Sequence, residues 1–148
     1  MKLTQHFSLA EFVRSATAQK LGIDNSLNTS DKADQTIVRN LKALSENILE
    51  PLREYTCQPI VISSGYRCPA LNKAVGGSKT SQHLTGEACD IHIPSIKQGR
   101  IWLEWIMDNA SFDQLIWEHN KGGTYWIHVS YKADPTKNRQ QVIRMRKD

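Results

Sequence analysis

The sequence predicts an α+β fold, with helices in the first half and then a small, mainly antiparallel sheet that carries the chemically interesting residues. Three observations point there. Apolar residues recur at spacings of three and four over the first fifty residues. Short β-branched or aromatic runs follow: "PIVISS", "EACDIHI", "FDQLIWEH" and "TYWIHVSY". Between the first two lies "SSGYRCPALNKAVGGSKTSQHLTG", with too many glycines and polar side chains to be core.

In chain order, "FSLAEFVRSATA" opens a helix. Ser8 and Glu11 form a capping box, and Leu9, Phe12, Val13 and Ala16 share a face. "KLGIDNSLNTS" has the composition of a loop. A longer helix starts near Asp31, with Ile37, Leu41, Leu44 and Ile48 as its buried stripe, and Pro51 is expected to kink or end it. "PIVISS" reads as a strand. Pro69 starts a brief helix that Gly76 and Gly77 stop. "EACDIHI" reads as a second strand. Ser95 with Gln98 caps another helix, whose Ile101, Trp102, Trp105 and Ile106 are expected to face inward. The last two runs join through "NKGG" as a hairpin, and "QQVIRMR" offers an edge strand.

The 148 residues suit one domain, 1–148, with 132–148 as a basic C-terminal tail. Most of the +4 net charge sits in that tail, which reads as solvated surface; without aromatic–basic interleaving, nucleic acid is not the expected partner. No apolar run suits a membrane span or a signal peptide, so the chain is read as cytoplasmic when made, reaching any external substrate by lysis or another export route. Cys57, Cys68 and Cys89 form no C-x-x-C pair and suit a reducing compartment, with a Cys57–Cys68 bridge left open. A monomer is expected.

The chemistry concentrates in two places. His83 and Asp90 lie seven residues apart, with Gly86 between them to turn the backbone so that both side chains point one way. Imidazole and carboxylate are zinc ligands, but two do not make a site. His128 in "WIHVSY", an imidazole amid aromatic and β-branched neighbours, is the third candidate.

These segments, "GYR", "GGSKTSQHLTGEACDI", "FDQLIWE" and "WIHVSY", resemble the zinc D-alanyl-D-alanine carboxypeptidases, a family with D,D-dipeptidases, L-alanyl-D-glutamate endolysins and the fold of the Hedgehog signalling domain. The pattern S-x-H-x-x-G-x-A-x-D is complete as Ser81, His83, Gly86, Ala88 and Asp90. The resemblance implies Zn²⁺ held by His83, Asp90 and His128, a peptidoglycan or muropeptide substrate, and Arg67 holding a substrate carboxylate or an oxyanion. Ser81 is expected to bond within its loop or touch substrate. Where relatives carry an acid/base, three residues before the last ligand, this chain has Tyr125, a poor base but a possible hydrogen-bond donor to substrate. A hairpin centred near Gly122 sets Glu118 opposite Trp126, on the face of His128, which makes Glu118 the expected general base. His119 then points away, and His92 shares a face with Asp90 as a supporting or alternative group. The alternative to an enzyme is a non-catalytic, zinc-stabilised cell-wall binding module.

Overall fold

A computed structural model describes the backbone of residues 1–146 and side chains as far as 144; residues 147–148 of the basic tail lie outside the described residues. Ser8 opens α1 (Leu9–Val13), donating its N–H to the Glu11 carboxylate at 2.7 Å. The predicted helix does not run on to Ala16. Arg14 is extended, and a second helix, α2 (Ala16–Leu21), restarts at Ser15, whose hydroxyl accepts from Ala18 N–H at 3.1 Å. Each short helix thus has its own serine cap.

Asp31 caps α3 (Lys32–Leu44), and Leu41, Leu44 and Ile48 are fully buried along the expected stripe. Pro51 does not end the helix. A π turn over Ser45–Leu49 leads into α4 (Glu50–Thr56), in which Pro51 occupies the first turn. A proline ring crowds the carbonyl four residues back and offers no N–H. The wider turn, closed by Glu50 N–H donating to Ser45 O, moves the proline to a place where neither matters.

The remaining elements are β1 (Ile62–Ser64), α5 (Pro69–Ala74), a 3₁₀ turn (Gln82–Thr85), β2 (Ala88–His92), α6 (Ile96–Asn109), β3 (Gln114–His119), β4 (Tyr125–Ser130), a second 3₁₀ turn (Pro135–Lys137) and β5 (Gln141–Arg146). The sheet order is β1-β2-β4-β3-β5. All pairings are antiparallel except the last, where β5 lies parallel to β3 with Gln141 beside Gln114. The edge strand offered by the sequence therefore forms, and makes the sheet mixed.

Strand alternation divides the sheet's two faces. Cys89, Ile91, Leu115, Trp117, Ile127 and Val129 join Leu41, Leu44, Leu52, Phe12, Trp102 and Ile106 in one apolar core. Within α6, Ile101 is 39% exposed while Trp102, Leu103 and Ile106 are buried, so the inward placement expected of Ile101 is corrected. At 100° per residue it falls off the stripe through its neighbours. The three cysteines are free thiols, and the Cys57–Cys68 bridge is not formed. Among the described residues no helix is long and apolar enough to cross a membrane.

One turn decides how the polar face meets the helices. Gly86 closes the first 3₁₀ turn at φ +75°, and a Cβ there would sit 2.7 Å from Ile37 O on α3. Gly86→Ala combines a left-handed backbone with a backbone overlap. It is expected to lower unfolding free energy by about 2–4 kcal/mol, read from urea midpoints at unchanged m.

Candidate metal centre and substrate cleft

The other face of the sheet presents Asp90, Ile116, Glu118, Trp126, His128 and Ser130, and in register Asp90 lies opposite His128 and Glu118 opposite Trp126. A face so polar ordinarily meets water. Here Asp90 is 8% exposed, Glu118 6% and His128 9%, and the 3₁₀ turn adds His83, 3% exposed. Burying ionisable groups away from the apolar core is costly unless they are paired or hold an ion.

The pairing is tight. His83 Nε2 lies 3.3 Å and His128 Nδ1 3.0 Å from Asp90 Oδ1. One ligand atom from each of the three falls within 4.8 Å of the others, a grouping able to hold a metal ion. The donor set fits zinc: two imidazoles and a carboxylate, whose atoms around a tetrahedral ion with bonds of about 2.0–2.1 Å stand about 3.3 Å apart. The tautomer fits too. His83 Nδ1 donates to Gly65 O at 2.7 Å, which turns Nε2, the atom that would take a metal, toward Asp90. Burial pushes the Asp90 carboxyl up, but the His83 imidazole by charge, and hydrogen bonds from His128 and His83, outweigh it and hold Asp90 far below the usual carboxylate range.

Arg67 reaches the same carboxylate, Nη2 to Oδ2 at 3.6 Å. Its Nε donates to Ser64 Oγ at 3.2 Å and its Nη1 to Asn72 Oδ1 at 3.4 Å, so the guanidinium is fixed on three sides. Desolvation lowers its pKa and the Asp90 and Glu118 charges raise it, with a net fall. Gly77 makes room for this: a Cβ there would overlap Asn72 Oδ1 and stand 3.1 Å from Arg67 Nη1. Ser81 bonds within its loop, its hydroxyl accepting from His83 N–H at 3.2 Å, and lines the cleft as well.

The cleft, about 510 Å³, is bordered by Arg67, Ser81, His83, Asp90, Glu118 and His128 together. Glu118 Oε1 stands 3.8 Å from His128 Nδ1. Tyr125 is not brought to them. It lies on the core-facing side of β4, its ring stacked on His119 at 4.9 Å and 5.5 Å from Trp117, so a substrate contact from Tyr125 has no place here. An odd offset along a strand reverses the face, which separates residue 125 from 128. His119 points away as expected. His92 ends β2 opposite Trp126, exposed and not among the residues around the cleft.

Sequence reasoning missed the far end of the cleft, where Gln82, Gln114, Lys132 and Arg139 contribute. The two cations were read as solvated tail. The one available signal was their proximity to the edge-strand run, which says nothing of where that strand pairs.

A model of the family described as Peptidase M15 matches residues 5–130, most of the chain and all of the residues around Asp90. No curated protein matches it.

Proposed function

This chain belongs to the peptidase M15 family, and on that premise we propose that it is a zinc-dependent peptidase of peptidoglycan stem peptides, a D-alanyl-D-alanine carboxypeptidase or a related endopeptidase. The observation that carries the reading is a buried His–Asp–His trio on the otherwise outward face of the sheet, with a carboxylate 3.8 Å from one imidazole and a cleft in front.

His83, Asp90 and His128 hold the zinc. When bound, the ion supplies Lewis-acid polarisation of the scissile carbonyl and acidifies a water. Glu118 takes a proton from the attacking water on a carboxylate oxygen as the new C–O bond forms, then passes it to the amine nitrogen, whereupon the peptide C–N bond breaks and the amine leaves. Arg67, already fixed by Ser64 and Asn72, meets negative charge on the substrate without having to reorganise. Gly65 keeps His83 in the ligating tautomer.

The test weighs products. Zinc-loaded protein incubated with defined muropeptides is expected to yield stems lighter by one D-alanine or split at one cross-link, with turnover lost in chelator and regained on adding zinc. A second reading, a zinc-stabilised wall-binding domain without turnover, is motivated by Tyr125 at the position where relatives place an acid or base. It is adopted if the zinc-loaded protein cleaves no muropeptide or D,D-dipeptide yet binds them.

A further inference from the structure

We propose that the end of the cleft remote from Glu118 is a second anchoring site, in which Arg139 and Lys132 bind a carboxylate of the peptide substrate. The inference rests on the peptidase reading above and names a feature its substrate must carry.

Position comes first. Trp126, His128 and Ser130 lie along one side of β4, and Lys132 follows two residues past the strand's end. Arg139 leads into β5, which parallel pairing sets beside β3 at the same end of the sheet, Gln141 next to Gln114. Both cations border the cleft that holds the His–Asp–His trio. Four residues of strand span about 13 Å. An extended peptide covers that in about four residues.

Arg139 is held in a way that a surface arginine is not. Its Nε and Nη2 each donate to Asp113 at 2.9 Å, and its backbone N–H donates to the same carboxylate at 3.1 Å. Asp113 is 0% exposed, yet the Arg139 side chain is 55% exposed. The buried acid therefore fixes a guanidinium whose other edge faces outward. The hydrogen bonds from Arg139, ahead of the opposing effect of burial, keep the Asp113 carboxyl well below the usual carboxylate range, so the clamp is ionised at neutral pH. Asp113 also accepts from Gln82 Nε2 at 2.9 Å, and Gln82 adjoins His83. One carboxylate thus registers the cation against the metal-holding turn.

Capacity comes second. Arg67 turns N–H groups to Ser64, Asn72 and Asp90 and stands at the metal end of the cleft, where its remaining N–H groups are assigned to the charge next to the cleaved bond. Among the described residues, Arg139 Nη1 and Lys132 Nζ bond no acceptor, while Lys132's backbone is clamped by the Asn138 side chain at 2.8 and 3.2 Å. With Asp90 committed to a dication, the cleft carries more positive than negative charge, and two of its three cationic side chains lie at this end. A planar fork and an ammonium bordering the same cleft suit a carboxylate.

The test compares a muropeptide with versions whose carboxylates are converted one at a time to carboxamides. For wild type, amidating one particular carboxylate, a few residues from the cleaved bond, is expected to raise KM by about 10–100-fold with kcat little changed. Lys132→Gln is expected to lose much of that discrimination. Arg139→Gln is made together with Asp113→Asn, so that no buried charge is stranded, and should bring the ratio within about twofold of unity. Calorimetric binding of the same peptides to zinc-loaded protein provides a readout independent of turnover. If nothing is cleaved but binding still prefers the acid and loses that preference in Lys132→Gln, the peptidase reading fails and the anchor stands. Equal treatment of acid and amide by wild type in both readouts, or full discrimination retained in both variants, overturns it.

Discussion

Asp90→Ala is expected to strip the zinc from the protein on dialysis and to lower muropeptide hydrolysis by at least about 10³-fold, since the lost metal supplies several kcal/mol of transition-state stabilisation. The reason lies in where Asp90 stands. Its Oδ1 is the atom that both imidazoles approach, at 3.3 and 3.0 Å, and its Oδ2 faces the Arg67 guanidinium at 3.6 Å. Without it, two imidazoles and a largely buried guanidinium share a pocket with Glu118 as the remaining anion. Removing one partner of a buried charge cluster costs roughly 3–5 kcal/mol. The melting temperature should therefore fall along with zinc content. Elemental analysis after dialysis checks the first effect and calorimetry the second. A variant that still carries one zinc per chain removes Asp90 from the ligand set.

Glu118→Gln separates the metal from the chemistry. Gln is isosteric and neutral, so zinc content should stay at wild-type level while kcat falls by about 10²–10⁴-fold, the range for losing a positioned general base. KM should change little, because Glu118 is proposed to act on the proton rather than to hold the peptide. Zinc analysis beside steady-state kinetics on one muropeptide checks both halves. Retained turnover would move the base elsewhere, with His92, on the same face but exposed at the strand's end, as the next group to replace.

How far the sequence carried depended on whether a feature was local. The period of two sets Asp90 off from Cys89 and Ile91, and His128 off from Ile127 and Val129, and the hairpin turn sets Glu118 opposite Trp126, while the pairing of β2 with β4 is what brings Asp90 and His128 together. The same period already opposes Tyr125 to His128. The substrate contact expected of Tyr125 followed from a family position, and strand geometry outranks it. Pro51 was legible as a problem but not as its solution, because a π turn depends on backbone bonding that side chains do not announce. Arg139 was illegible for a different reason. Its partner, Asp113, lies twenty-six residues earlier, and they meet because β5 returns to β3 in parallel. Composition shows a basic segment; topology makes it part of a cleft.

That parallel return has a kinetic side. β3 and β4, which bear Glu118 and His128, form a local hairpin, but β5 must return past β4 to the outer edge of β3. Long-range parallel pairing is slow, and an edge awaiting its neighbour can recruit another chain. Until β5 docks, the edge of β3 is open and Arg139 is apart from Asp113. The far end of the cleft thus depends on a strand that carries none of the His–Asp–His trio.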